Sequence, residues 1–451
     1  MLVATAFQKD GRLDEADEIY GKLLELAPDH PGVRHYAGVL AHQRGESDHG
    51  VALIEQSLAL QPDQADCYSN LGIIFKAQGK VDEAVAAYER AIALNPTHAG
   101  AYCNLGVLLS AQGKPTEAEA AYRSACRLDP TRSDVYQNLG ILLHRQQRTR
   151  EAAECFCRVT TLAPQHPEAR RLLALAHCAL GEVDKAVEIF ERWLRDEPDN
   201  PVARHMLAAC TGADVPPRAS DAYIEKVFDD FAESFDAKLE VLSYRAPTLV
   251  ATMLGDSGFH PAKNLDVLDA GCGTGLCGPL VAPYARRLVG VDLSEQMLAQ
   301  AKARAVYDEL VKGELTAYLG NATEAYDVIV SADTLVYFGP LEAVAAAAAN
   351  ALRPAGALIF TVEDADVDAQ AEETNTHMAD AVPGYRIATN GRYTHTREYV
   401  AQALAAVGLE SEIVPAELRM ESGMPVAGLL VRGSKRATSA ASPGSPGANH
   451  G

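Results

Sequence analysis

From residue 68 onward, apolar and small residues return at a spacing of 34 positions. Tyr68, Leu71, Gly72, Phe75, Ala84, Tyr88 and Ala91 are followed in register by Tyr102, Leu105, Gly106, Leu109, Ala118, Tyr122 and Ala125. Tyr136, Leu139, Gly140, Leu143, Ala152, Phe156 and Val159 continue the series. Inside each set the apolar positions fall three or four apart, so each unit reads as two helical stripes. Pro28, Pro62, Pro96, Pro130, Pro164 and Pro198 follow the second helix of each unit and stop it. Gly11, Gly45, Gly79, Gly113 and Gly181 mark the turn inside each hairpin, where positive φ favours glycine, and only Gln147 breaks that series. Gly72, Gly106 and Gly140 are expected at close helix crossings, facing Ala84, Ala118 and Ala152. Such a hairpin cannot bury its apolar face alone, so residues 1–212 are expected to stack as a solenoid. The segment 201–210 reads as its capping helix and Trp193 as an anchor sealing that end.

The pattern changes after residue 212. Residues 213–221 are rich in Pro, Gly and polar side chains and read as a linker. Phe228, Phe231, Phe235, Leu239 and Leu242 then recur at helical spacing. They form either a packing face or a lid over a ligand, with Tyr244 and Arg245 near its edge. NLDVLDAGCGTGLCG (264–278) reads as a buried strand, a glycine-rich turn and a helix start. RRLVGVDLSEQML continues with a second strand ending in Asp292. AYDVIVSADTLVYFG (325–339) gives a further strand with Asp333 near its end, and residues 352–363 another. A helix over 396–407 and strands near 410–415 and 426–432 complete an α/β domain over 222–433. Residues 434–451, rich in Ser, Pro, Gly and Ala, are expected to be disordered.

Composition narrows the classes. The formal charge is −21, from 61 acidic against 40 basic residues, which makes nucleic acid a poor default partner. No run approaches the length of a bilayer span and no basic leader precedes an apolar stretch, so a cytoplasmic protein is expected. The nine cysteines lack paired CxxC spacing, so neither a metal site nor a disulfide framework is expected.

The periodic first half resembles the tetratricopeptide repeat at nearly every defining position. Asn70, Asn104 and Asn138 share one position on the leading helix, which faces the concave groove in that family. A similar asparagine ladder lines the repeats of O-linked N-acetylglucosamine transferase, where it holds extended peptides. An amide donates and accepts at once, so it can pair with any peptide group; asparagine is also simply common at that position. In the second half, Gly273 to Gly278 satisfies GxGxxG, which alone fits a dinucleotide fold equally. Asp269 ahead of Gly271 and the GVDLS run at Asp292 instead resemble class I S-adenosylmethionine-dependent methyltransferases. The whole arrangement resembles bacterial class I methyltransferases that contain tetratricopeptide repeats: an all-α solenoid followed by a Rossmann-like α/β domain.

That resemblance implies S-adenosylmethionine as cofactor, held by Asp269, Gly271, Cys272, Gly273, Gly275, Asp292, Leu293 and Tyr244. Asp269 suits a cationic amino acid better than a pyrophosphate, and Asp292 at a strand end can accept both ribose hydroxyls. Glu314, after Gly313, is either an adenine contact or a solvated helix charge. Candidates for the acceptor chemistry are Asp333, Tyr337 and His395, with Tyr385, Arg392 and Tyr393 nearby in sequence. His395 is read first as a surface histidine at a helix start. The leading expectation is a methyltransferase whose repeats recruit a protein substrate or partner. A small-molecule O-methyltransferase with repeats for assembly, and a non-catalytic scaffold with a vestigial cofactor domain, remain open.

Overall fold

The computed structural model describes residues 1–229, 231–368, 384–421 and 424–437; most of the expected tail lies outside them. The chain divides into two compact units, Met1–Leu173 and Ala174–Gly451.

The first unit is a run of helix hairpins: Leu2–Lys9 with Leu13–Leu26, Pro31–Gln43 with Ser47–Leu60, and Ala65–Ala77 with Val81–Leu94. Ala99–Ala111 with Pro115–Leu128 and Ser133–Arg145 with Thr149–Leu162 follow. At the close-crossing glycines the nearest atoms are those of aromatic rings, which the sequence pattern did not single out. A Cβ on Gly72 would lie 2.6 Å from the Tyr88 ring, on Gly106 2.7 Å from Tyr122, and on Gly140 2.6 Å from Phe156. The ring of the second helix lies flush on the first because no side chain intervenes, and Ala84, Ala118 and Ala152 on the same helices are fully buried. The turn glycines have φ between 71° and 89°, and Gln147 adopts the same conformation at φ 64°. Leading helices are capped by side chains at equivalent positions. His30, His98 and His166 accept through Nδ1 from the backbone N–H three residues on. Asn70, Asn104 and Asn138 are all half-buried, and Asn70 Nδ2 lies 2.7 Å from Nε2 of His35. Burial lowers the His35 pKa, so its ring is neutral and accepts that amide proton.

The second unit begins earlier than the linker predicted from sequence. Trp193, Phe190, Val202, Ala203 and Met206 form one buried cluster with Ala219 and Tyr223, from segments expected to lie in separate domains. The helices Val183–Asp196 and Pro201–Thr211 are therefore built into the same core as the segment behind them. The expected linker is not a free tether. Ala219 N donates to Tyr337 O at 2.8 Å, Gly339 N to Pro217 O at 2.9 Å, and Arg218 pairs antiparallel with Phe338. It is a strap across the α/β domain.

Among the described residues, nine strands form one sheet. They are β1 (Leu265–Ala270), β2 (Ala285–Asp292), β3 (Glu309–Lys312), β4 (Tyr326–Ser331), β5 (Leu352–Asp364), β6 (Tyr385–Ile387), β7 (Tyr393–His395), β8 (Leu409–Glu421) and β9 (Met424–Lys435). The parallel order β3-β2-β1-β4-β5 continues through β9, antiparallel to β5 and paired with β8. Alternate residues fill two cores: Leu268, Val289 and Ile329 on one face, Val267, Leu288 and Val328 on the other. Strand order reverses between β1 and β4, so a crevice opens at their carboxyl ends.

Candidate functional site

The loop after β1 is shaped by three glycines at positive φ, Gly271 at 74°, Gly273 at 54° and Gly275 at 84°. At Gly271 a Cβ would also collide with the side chain of Thr334, so only glycine lets the loop pass the end of β4. Gly271 N and Cys272 N both donate to Val291 O, tying the loop to β2. Asp292, closing β2, accepts from Gly273 N and Ser294 N at 2.9 Å each. Burial raises its pKa, opposed by those backbone donors. Asp269, the penultimate residue of β1, is fully buried; burial pushes its carboxyl up to about 7, although Tyr307 Oη donates to it at 2.6 Å.

A cavity of about 260 Å³ lies over this loop. Asp269, Gly271, Cys272, Gly273, Asp292, Leu293, Glu314, Tyr244, Asp333 and Tyr337 line it. Gly275 and His395 do not. Gly275 turns the loop against Tyr307. His395 has no exposed surface, holds Gly339 O at 2.8 Å through Nε2, and burial lowers its pKa to about 4. That corrects the surface reading and leaves it a core residue out of the cavity's reach. Tyr393 is likewise buried, donating to Pro216 O. Of the candidates beside it, only Arg392 reaches the cavity wall. Glu314 caps the helix Leu315–Gly320, its two oxygens accepting from Thr316 N and Ala317 N, while remaining on the wall.

The lid segment closes the opposite side. Phe228, Phe235, Leu239 and Leu242 line the cavity, and hydrogen bonds fasten them to the loop. Thr274 Oγ1 donates to Asp236 at 2.5 Å, Arg304 pairs with the same carboxylate, and Ser294 Oγ donates to Asp229 at 2.6 Å. Arg245 points elsewhere, its side chain half exposed and 3.7 Å from Glu417.

At the far end sits a buried ionic network. Asp333, at φ 54°, accepts from Thr361 Oγ1 and from Arg419 at 2.5 Å. Arg419 also holds Glu363 and Glu421; Arg392 reaches Glu363 at 2.6 Å and Glu421 at 2.8 Å. Burial raises the Asp333 pKa against the pull of Arg419. For Glu421 burial is outweighed by Arg392 and Arg419, which bring it down to about 2. Burial likewise raises the Tyr244 and Tyr337 hydroxyls, which stay neutral. Sequence reading missed Tyr307, Asp236, Arg419 and Glu421. Only the last two left a trace, two residues apart on a strand and so on one face.

The site combines a positive-φ loop, a carboxylate at each of two neighbouring strand ends and a partly open, mainly apolar pocket. Residues 267–356 match a family model described as a methyltransferase domain. Residues 1–30, 69–133 and 143–210 match tetratricopeptide-repeat models. The chain carries tetratricopeptide repeats and a class I methyltransferase domain. Human methyltransferase-like protein 27 is 39% identical over 84 residues, covering 18% of this chain and 34% of that protein. The malonyl-[acyl-carrier protein] O-methyltransferase of Priestia megaterium is 29% identical over 143 residues, covering 31% and 50%. The chain thus spans between a third and a half of the length of these curated relatives. Pseudomonas aeruginosa pilF is similar to this chain with 18% identity and a TM-score of 0.41, covering 46% of this chain and 94% of that one. Among the described residues, no helix of the methyltransferase domain or the repeats is long and apolar enough to cross a membrane.

Proposed function

We propose that the chain transfers the methyl group of S-adenosylmethionine to an acceptor on a protein or peptide that the repeats bring in. The observation that carries this reading is the pair of strand-end carboxylates, Asp269 and Asp292, flanking a glycine loop on one cavity. When bound, the cofactor supplies a methyl carbon already activated on a sulfonium, so the protein's task is alignment and electrostatics. Asp269 would hold its ammonium group and Asp292 its ribose hydroxyls. Glu314 would meet the adenine edge with the lone pairs its cap contacts leave unused. Phe228, Phe235, Leu239 and Leu242 would exclude water, and Tyr244 would border the methionine end. Asp333 and Tyr337 would face the acceptor.

Asn104 and Asn138, with Asn70 partly committed to His35, are the proposed peptide contacts on the repeats. Calorimetry with S-adenosylmethionine tests the first part: the wild type binds, and Asp292→Ala loses at least about tenfold in affinity while its circular dichroism is unchanged. No binding by the wild type would sink the reading. Methyl-labelled cofactor then tests the second. Label entering protein, and falling when Asn70, Asn104 and Asn138 are all changed to Ala, supports recruitment. Label confined to small molecules and insensitive to those changes would favour a small-molecule acceptor instead.

A further inference from the structure

Resting on the methyl-transfer reading, we infer that the acceptor is a peptide amine, a lysine side chain or a free chain terminus, rather than a carboxylate. The ionic network at the far end of the cavity sets three carboxylates, Asp333, Glu363 and Glu421, against two guanidiniums, Arg392 and Arg419, with Glu363 behind the wall and the other four on it. With all five groups ionised, one negative charge is left over. The third arginine on the wall, Arg218, is also spoken for: Asp221 lies 2.7 Å away and Glu314 3.8 Å. Among the described residues, no cation on the cavity wall lacks a carboxylate partner. An acidic acceptor would therefore add a fourth carboxylate to a desolvated network without gaining an open cation, which is costly.

A cationic acceptor corrects the imbalance instead. The apolar wall beside it favours the same charge. Phe228 meets Phe235 edge-on with centroids 5.9 Å apart, and meets Tyr337 at 5.6 Å and 89°. Clustered aromatic rings attract an ammonium through their negative faces. The amine enters as an ammonium and gives one proton to water. Its lone pair forms the new N–C bond as the C–S bond breaks, the electron pair staying on sulfur to leave a neutral thioether. The product is again an ammonium, so the positive charge moves from sulfur to nitrogen, toward the carboxylates.

Two measurements on the full chain decide this. Calorimetry compares S-adenosylhomocysteine with sinefungin, which carries a primary amine where the transferred methyl would sit. Sinefungin should bind tighter by about tenfold or more, and Asp333→Asn and Tyr337→Leu should each shrink that advantage. Equal binding overturns the amine inference while leaving methyl transfer standing; binding of neither ligand removes methyl transfer itself. Four peptide libraries are then methylated with labelled S-adenosylmethionine: lysine-centred, glutamate-centred and tyrosine-centred with acetylated termini, and lysine-free with free termini. Base-stable label in the first or the last supports the inference and tells the two amine sources apart. Label in the glutamate library released by base, label confined to the tyrosine library, or label in none overturns it.

Discussion

Asp269 offers the sharpest test of the cofactor cradle, because its carboxyl is held protonated by burial up to about pH 7. A cationic ligand needs the ionised form. Below that pH the ionised fraction falls about tenfold per unit, so S-adenosylmethionine affinity should fall about tenfold between pH 7 and pH 5.5 to 6. Calorimetry across pH 5.5–7 keeps the ligand's own amino group protonated and isolates the protein's contribution. Tyr307→Phe removes the hydroxyl that donates to this carboxylate, so the midpoint should move upward. Asp269→Asn should bind weakly and lose the pH dependence. Wild-type affinity that is flat across this range, or a slope that survives in Asp269→Asn, would refute the assignment of Asp269 to the ligand's ammonium. Without ligand the sign reverses. The folded pKa is raised, so below about pH 4 folded and unfolded chains are both protonated and Asp269 costs nothing. As pH climbs toward 7 the unfolded chain ionises first, and stability is lost across that window. Urea denaturation at several pH values reads this directly.

Gly106→Ala sets helix propensity, a gain of about 1 kcal/mol, against a Cβ placed 2.7 Å from the Tyr122 ring. Overpacking of that kind costs about 1–3 kcal/mol, so the urea midpoint should drop, and adding Tyr122→Leu should recover it. Gln147→Gly should raise that midpoint by the equivalent of about 1 kcal/mol, since φ 64° strains a side-chain-bearing residue. Asp236→Ala frees the lid from Thr274 and Arg304. Loss of charge-assisted hydrogen bonds is worth about 1.5–3 kcal/mol each, so S-adenosylhomocysteine should dissociate at least about tenfold faster in stopped-flow displacement.

The repeats were legible because their signal is local and repeated: the spacing of Gly72, Gly106 and Gly140 marks the hairpins without reference to any contact. What the spacing could not assign was the neighbour of each glycine, since Ala84 and Tyr88 lie on the same helix and only packing chooses between them. The glycine loop and its two strand-end acids were legible for the same local reason. The strap was not. Its Pro-rich composition describes a chain without helix or strand propensity, and a segment clamped through its backbone to Tyr337 and Gly339 leaves no side-chain signature. Asp333 and Arg419 meet across 86 positions of sequence, beyond any periodic argument. His395 looked exposed because its neighbours are polar, yet all of β7 is buried, so both faces of that short strand lie in the core.

The shared core of Trp193, Met206, Ala219 and Tyr223 says where copy number can change. Repeats added or deleted upstream of Ala174 leave every residue of that core in place, so the array can be lengthened as a modular edit. A cut at residue 213 instead strips Trp193 and Met206 from Tyr223 and leaves an apolar scar on the enzyme. The final hairpin is thus the adaptor of the catalytic unit rather than the last rung of the array.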